Sequence, residues 1–178
     1  MGQLVTLHDK QFKPYLSEQQ IAQAVNKMAK QIENDFKNET PYFLVVLNGA
    51  FMFASDLVKA FGKQCEVAFI KASSYQGTKS TGHVHLPDGI TQDVKNKQVV
   101  LIEDIVETGT TIETLLAELK AAGAAGVRIA SLLIKKELYH KPFPIHYSGI
   151  SISNAFVVGY GLDYNGLGRN LKEIYVLA

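Results

Sequence analysis

Residues 99–111 constrain the fold of this chain more than any other stretch. They begin with the uninterrupted apolar run 99–102, pass two adjacent acids, and reach a turn of threonine and glycine at 108–111. An apolar run without alternation is typical of a strand buried on both faces, as in a parallel sheet. Helical spacing of apolar residues follows from 110 to about 122, so the stretch predicts a strand–turn–helix unit.

The rest of the chain repeats this alternation of strands and helices. Helices are predicted over residues 18 to about 37, 51–61 and 110 to about 122; a capping box at Ser17 and Gln20 begins the first. Apolar runs predict strands at 42–47, 66–72, 98–103, 127–134, 156–160 and 173–177, with a short extended segment at 145–147. This order predicts an α/β fold with a mostly parallel central sheet flanked by helices.

Residues 73–98 form a long polar segment with little helical pattern. Residues 83–86 are compatible with a short ribbon, and the Pro-Asp-Gly sequence at 87–89 predicts a turn. A loop of this length in a compact domain is usually functional, often a lid, or else disordered. We interpret residues 73–98 as a lid loop.

Length, charge and cysteine content limit the class of protein. The 178 residues predict a single domain over 1–178. A net charge of +1 gives no general attraction to nucleic acid, and no apolar run approaches the ~18 residues of a membrane helix. The single cysteine, Cys65, suits a reducing compartment. We therefore expect a cytoplasmic protein without a nucleic-acid or membrane partner.

The turn at residues 108–111 has the features of an anion site. Ligands of open α/β sheets bind beyond the carboxyl ends of the strands, and a helix start offers free backbone N–H groups and a favourable dipole. Gly109 would let the backbone approach an anion closely. The alternative is that Thr108 or Thr110 simply caps the helix and that nothing binds.

Three acids precede this turn. Glu103 and Asp104 lie beside the core, where a carboxylate is costly without a partner, and their oxygens suit Mg²⁺. Glu107 lies within one turn of the anion site and could take or give a proton, or it could be a surface acid that complements the helix dipole. The chain has neither a P-loop nor a dinucleotide-binding glycine motif, so a phosphorylated ribose is the ligand that fits this layout.

Residues 99–111 resemble the 5-phosphoribosyl-1-diphosphate (PRPP) signature of the type I phosphoribosyltransferases. The signature is an apolar strand, two acids, two apolar residues, an acid, Thr-Gly and then hydroxyl residues, and the resemblance extends from about residue 42 to 175. It is closest to the hypoxanthine-guanine branch of the family. Further matching segments support that branch: 47–50, 74–75 with 80–82, 131–135, and 156–164 followed by Arg169.

The resemblance implies how PRPP would be bound. Glu103 and Asp104 would face the ribose hydroxyls, directly or through Mg²⁺, and Asp163 would help to place a second Mg²⁺. The residues of the anion turn would hold the 5-phosphate: Thr108, Gly109, Thr110 and Thr111. The pyrophosphate would be bound by Asn48 and Gly49, in a loop whose peptide bond is often cis in this family, and by Arg169.

The resemblance also implies a 6-oxopurine as the second substrate. Lys135 would donate to the 6-oxo group, and Glu107 would act as the base near N7. The remaining purine contacts would come from one segment, namely Phe156, Val157, Leu162 and Asp163. Ser74 and Tyr75 would lie on the lid that closes over PRPP.

Family members commonly form homodimers or homotetramers, and a small hood would be built from the N-terminal residues and about 136–178.

Three positions depart from the commoner family pattern. Glu107 stands where the base is usually Asp, and Thr110 and Asn48 stand where lysine is frequent. None of these changes removes the backbone N–H groups of the anion turn. We therefore expect a purine-salvage enzyme that forms IMP or GMP from PRPP. The alternatives are a non-catalytic PRPP-sensing regulatory protein and a phosphatase or other phosphotransfer enzyme.

Overall fold

The computed structural model describes residues 3–76, 79–85, 90 and 93–178, with only the backbone for 73–76 and 79–85. The turn predicted at 87–89 and residue 86 of the predicted ribbon lie outside the described residues. In chain order the elements are β1 Val5–Leu7, β2 Lys10–Leu16, α1 Glu18–Asp35, β3 Tyr42–Leu47, α2 Phe51–Phe61, β4 Glu66–Lys71, β5 Ser73–Gln76, β6 Lys79–His85, β7 Gln98–Val106, α3 Thr110–Ala121, β8 Gly126–Ile134, β9 Tyr147–Ser151, β10 Val157–Val158 and β11 Ile174–Leu177.

A five-stranded parallel sheet forms the centre of the fold, in the order β4-β3-β7-β8-β9. Alternate residues of β7 enter two different hydrophobic clusters. Val100 and Ile102 pack with α1 and α2, whereas Val99 and Leu101 pack with α3. Burial on both faces explains why these strands lack apolar–polar alternation, and the predicted α/β fold with a parallel sheet is confirmed.

A second, antiparallel sheet joins the two ends of the chain in the order β1-β2-β11-β10. The sequence patterns did not predict β1 and β2, and β10 is shorter than the predicted strand at 156–160. The strand ends there because Gly159, Tyr160 and Gly161 all have positive φ angles, which are incompatible with extended backbone.

Two further predictions need correction. β7 continues to Val106 instead of ending at Glu103, because its pairing with β8 continues through Ile105 and Val106. Residues 73–76 and 79–85 are not an irregular loop, since they form β5 and β6, which pair as an antiparallel ribbon. The function of this segment as a lid stays a prediction.

Among the described residues, no helix combines the length and the apolar character that crossing a membrane requires.

Candidate functional site

A cavity of about 620 Å³ opens at the carboxyl edge of the central sheet. Its volume is in the range of sites for small organic ligands. It is lined by the predicted site residues Asn48, Gly49, Glu103, Asp104, Glu107, Thr108, Gly109, Thr110, Thr111, Lys135, Phe156, Val157, Leu162, Asp163 and Arg169. Ser74 and Tyr75 lie on β5, where only the backbone is described.

The turn before α3 has the geometry of an anion site. Gly109 is the N-cap of α3 with φ +81°, and no side chain caps this helix start. The predicted alternative, a helix capped by Thr108 or Thr110, is therefore wrong; the two hydroxyls lie 3.0 Å from each other instead. The start of α3 consequently has no capping side chain at its N-cap, and a helix start of this kind can bind an anion.

A side chain could not be accommodated at Gly109. A Cβ there would lie 2.8 Å from Cε2 of Tyr139 and 2.9 Å from Cγ of Lys141. Lys141 is fixed by a 2.6 Å ion pair with Glu113 of α3. The segment after β8 therefore packs directly on the anion turn and requires glycine there.

Glu103 and Asp104 are held at the end of β7 in an environment that disfavours their charge. Burial raises the pKa of Glu103 well above its usual range, and the neighbouring Asp104 raises it further. Burial raises the pKa of Asp104 to about 6, although the N–H of Ile105, which donates to Oδ1 over 2.9 Å, and the charge of Arg169 oppose the shift. Two such carboxyls need a cation or hydrogen-bond donors to ionise.

These acids fit a magnesium ion that a ligand helps to coordinate. Oε2 of Glu103 is buried and has no hydrogen-bond partner among the described residues. Within the same residues, no group of three or more acidic, histidine or cysteine side chains could hold a metal by itself. Mg²⁺ usually takes one or two carboxylates together with water and substrate oxygens, so the donor set fits this ion.

The loop after β3 is fixed between two close neighbours. The Leu47–Asn48 peptide bond is cis, as the resemblance implies. A Cβ on Gly49 would lie 1.6 Å from Oδ2 of Asp104, and one on Gly161 would lie 2.0 Å from the carbonyl oxygen of Gly49. Only glycine allows the loop to pass this close to both neighbours.

Arg169 is oriented by the loop that it closes. Its Nη1 donates to the carbonyl oxygen of Gly161 over 2.6 Å, and its Nη2 lies 2.7 Å from Oδ1 of Asp163. The other oxygen of Asp163 accepts from the N–H of Gly166 over 2.7 Å. The guanidinium and the carboxylate therefore reach the cavity as a fixed pair.

Lys135 and Glu107 form an ion pair inside the cavity. Nζ of Lys135 donates to Oε1 of Glu107, and the side chains are 7% and 23% exposed. The backbone holds them near each other, because the N–H of Lys135 donates over 2.9 Å to the carbonyl of Val106, the residue before Glu107. The two residues predicted to handle the purine thus contact each other.

Sequence reasoning missed several residues that line the cavity, namely Lys71, Asn154 and Asn165. Lys71 ends β4 directly opposite Leu47, beside the loop of Asn48. Three cations line the cavity, and within the described residues Lys135 and Arg169 have acidic partners whereas Lys71 has none. The sequence signal that could have identified Lys71 is a lysine at the end of a predicted strand of the parallel sheet.

Comparison with known proteins agrees with this geometry. A family model described as the phosphoribosyl transferase domain matches residues 12–165. A hypoxanthine-guanine phosphoribosyltransferase of Streptococcus pneumoniae is 38% identical over 166 residues, which cover 93% of this chain and 92% of that protein. One from Aquifex aeolicus is 35% identical over 173 residues, covering 96% and 97%.

A solved structure gives the same result. The crystal structure of a hypoxanthine phosphoribosyltransferase from Staphylococcus aureus has a TM-score of 0.85 and 35% identity, and the match covers 93% of this chain and 91% of that one. The structure agrees with these matches, because its parallel sheet ends in paired acids and in an anion turn without a capping side chain. The chain belongs to the phosphoribosyl transferase domain family, the type I phosphoribosyltransferases.

Proposed function

We propose that this protein transfers the 5-phosphoribosyl group of PRPP to hypoxanthine, and also to guanine, in purine salvage. The products are IMP or GMP and pyrophosphate. The observation that carries the proposal is that one cavity joins the anion turn with Lys135 and Phe156. The names of its relatives, hypoxanthine-guanine phosphoribosyltransferases, support the same activity.

The phosphoribosyl group would bind along the end of β7. The 5-phosphate accepts from the N–H groups at the start of α3 and from the threonine hydroxyls of residues 108–111. The ribose hydroxyls donate to Glu103 and Asp104, which relieves the unpartnered Oε2 of Glu103. This arrangement fixes the sugar with C1 toward the rest of the cavity.

The pyrophosphate would lie beside the loop of Asn48 and Gly49. Arg169 offers a forked cation to its oxygens, and Lys71 adds a charge at the same edge of the sheet. Lys71 thereby supplies a positive charge beside position 48, where this chain has asparagine.

Glu103, Asp104 and Asp163 would hold Mg²⁺ together with oxygens of PRPP. When bound, this ion neutralises charge that develops on the departing pyrophosphate.

The purine would bind at the opposite end, between Phe156 and Lys135. The Phe156 ring stacks on the base, and the backbone of Val157 with Leu162 and Asp163 borders its edge. Lys135 donates to the 6-oxo group. Adenine carries an amino donor at that position, so it would offer Lys135 no acceptor.

Transfer joins the purine N9 to C1 of the ribose while the bond from C1 to the pyrophosphate oxygen breaks. The proton at purine N7 passes to the carboxylate of Glu107, which acts as general base. The residues of β5, including Ser74 and Tyr75, close over PRPP and exclude water that would hydrolyse it. We further propose a homodimer or homotetramer, as the family resemblance suggests, and a cytoplasmic location, which suits the free thiol of Cys65.

The test is the absorbance change on mixing the protein with PRPP, Mg²⁺ and hypoxanthine, guanine or xanthine in turn. Turnover of hypoxanthine with release of pyrophosphate is the expected result. PRPP binding without turnover of any base would favour a regulatory sensor. Phosphate release from simple phosphoesters would favour a phosphatase.

A further inference from the structure

The N-terminal hairpin contacts the loop that carries Asp163 and Arg169. Leu7 of β1 pairs with Lys10 of β2, so the hairpin tip consists of His8 and Asp9. The tip lies against residues 163–169, far away in the sequence. The two segments meet at several points, which all involve Tyr164 or its neighbours.

Tyr164 makes the strongest of these contacts. Its hydroxyl donates to Oδ1 of Asp9 over 2.8 Å, and Nζ of Lys10 lies 4.8 Å from its ring centroid. One residue on, Nε2 of His8 lies 3.2 Å from the carbonyl oxygen of Asn165. A phenol that donates to a carboxylate forms a charge-assisted hydrogen bond, which is stronger than a neutral one. The hairpin tip therefore contacts the loop at one side chain, that of Tyr164, and at one backbone group, the carbonyl of Asn165.

The Tyr164 ring carries this restraint to the cavity. It is 7% exposed and packs edge-on against Phe156, with the centroids 5.9 Å apart and the planes at 83°. Phe156 lines the cavity, as do Leu162 and Asp163, which precede Tyr164 in the chain. The ring of Tyr164 is thus packed on Phe156, and its backbone directly follows Asp163, so Tyr164 adjoins two residues that line the cavity.

The backbone of the loop leaves little freedom for an alternative position. The N–H of Tyr164 donates to the carbonyl of Leu167 over 2.9 Å, and the N–H of Leu167 donates back over 3.1 Å. A Cβ on Gly168 would lie 2.9 Å from Cδ1 of Leu7, so the hairpin packs closely on the loop here too. A site that stacks and orients a flat ring requires its supporting residues within about 0.5 Å of their places.

We propose that Asp9 and Tyr164 are positioning residues for the purine subsite: the hairpin tip fixes Tyr164, and Tyr164 fixes Phe156 and the Leu162–Asp163 segment against the base. This inference rests on the proposed function, because the base is part of it. Neither residue lines the cavity, so both act through Phe156 and the loop.

The test compares two tyrosines whose hydroxyls each donate to an aspartate over the same distance. Tyr147 also donates to an aspartate, Oδ2 of Asp35, over 2.8 Å, and its hydroxyl accepts a longer bond of 3.3 Å from Nη1 of Arg128. Tyr147 does not line the cavity, and among the described residues none of its ring contacts or side-chain hydrogen bonds is to a residue that lines it. Tyr164→Phe and Tyr147→Phe each remove one hydroxyl and keep the ring. Tyr164→Phe should lower Tm by about 2–4 °C, the usual effect of losing about one hydrogen bond in a chain of this size, and Tyr147→Phe should lower it by at least as much because it also loses the bond from Arg128.

Only Tyr164→Phe should alter use of the base. Its KM for hypoxanthine should rise about threefold to tenfold with kcat within about twofold, whereas Tyr147→Phe should leave both constants within about twofold. Asp9→Ala should reproduce the effect, and Asp9→Asn, which keeps an acceptor oxygen, should restore most of the affinity. The Asp9→Ala/Tyr164→Phe double variant should be no worse than either single one, since both remove the same bond.

An unchanged KM for hypoxanthine in Tyr164→Phe and Asp9→Ala, or an equal rise in Tyr147→Phe, would overturn the proposal. If Tyr164→Phe does not fold, the KM for hypoxanthine of Asp9→Ala and Asp9→Asn tests the same hydrogen bond. These variants change only a residue at a hairpin tip. Absence of turnover in the unaltered protein would contradict the proposed function itself, which keeps the two failures apart.

Discussion

Lys135 and Glu107 show how the meaning of a residue depends on its partner in the fold. They are 28 positions apart in the sequence. They meet because β7 and β8 are parallel and in register, with Val106 opposite Ile134. In the free protein each already satisfies the charge of the other, so a purine that binds here replaces or shares an existing ion pair.

Lys135→Ala should weaken use of the base far more than use of PRPP. A lost hydrogen bond from a charged group is worth about 1.5–3 kcal/mol, so KM for hypoxanthine should rise about tenfold to a hundredfold. Steady-state kinetics with each substrate varied in turn measure this. Unchanged kinetics for the base would remove Lys135 from the purine subsite.

Glu107→Gln should lower kcat by about a hundredfold or more, because the amide cannot accept the N7 proton. The KM for PRPP should change little, and Glu107→Asp should retain most of the turnover because it keeps a carboxylate. A variant that loses only phosphate binding would instead make Glu107 part of the anion turn.

Lys71→Ala should weaken PRPP binding, since it removes the cavity cation that has no acidic partner in the described part of the chain. The KM for PRPP should rise about tenfold, the effect of losing one charge-assisted contact, with little change for hypoxanthine. Lys136→Ala is the matched control because this exposed lysine does not line the cavity. Equal effects of the two variants would show that only the overall charge matters.

At the scale of elements, the buried strands and amphipathic helices were the most predictable. The bounds of β3 and α2 agree with the sequence patterns. β1 and β2 were missed because their few buried side chains, such as Phe12 and Leu16, are interrupted by Pro14, which sits beside an irregularity in the pairing with β11. The acids of β7 suggested an early end, but pairing with β8 continues the strand.

His146, beside the edge strand β9 of the central sheet, should make the free energy of unfolding depend on pH. Nδ1 of His146 accepts from the N–H of Ile129 over 3.1 Å, which requires the neutral ring on that side. Partial burial, and then the charge of Arg128, lower the pKa of His146, while Asp35 opposes the shift. The unfolded chain therefore binds this proton more readily than the folded one.

The free energy of unfolding should consequently fall as the pH decreases from about 6.5, the ordinary value for histidine, through the lower pKa of the folded state. Above that range His146 is neutral in both states and contributes no pH dependence. His146→Asn keeps an acceptor but does not titrate, so urea unfolding of this variant should depend less on pH between about 5 and 7. Equal slopes for the two proteins would contradict the assignment.

At the scale of the whole molecule, the cavity combines four acids with three cations, although its proposed ligand is a polyanion. PRPP should therefore bind strongly only together with Mg²⁺. At about 100 times its Kd, PRPP with Mg²⁺ should stabilise the fold by about 2.7 kcal/mol, which raises Tm by about 5–10 °C. Thermal unfolding with PRPP and a chelator should show a much smaller rise, and equal shifts with and without Mg²⁺ would argue against the carboxylate site.

The sequence alone determined the type I phosphoribosyltransferase fold and the class of enzyme, and the structure and the comparisons confirm these two predictions; the roles of the site residues stay predictions. Local patterns suffice for the fold and the class, because burial periodicity and the acid–threonine–glycine turn are encoded within short stretches. The tertiary structure decided the Lys135–Glu107 pair, the place of Lys71 in the cavity and the contact of Asp9 with Tyr164. These contacts join distant segments, and they depend on strand register and on how two sheets pack, which the spacing of residues does not specify.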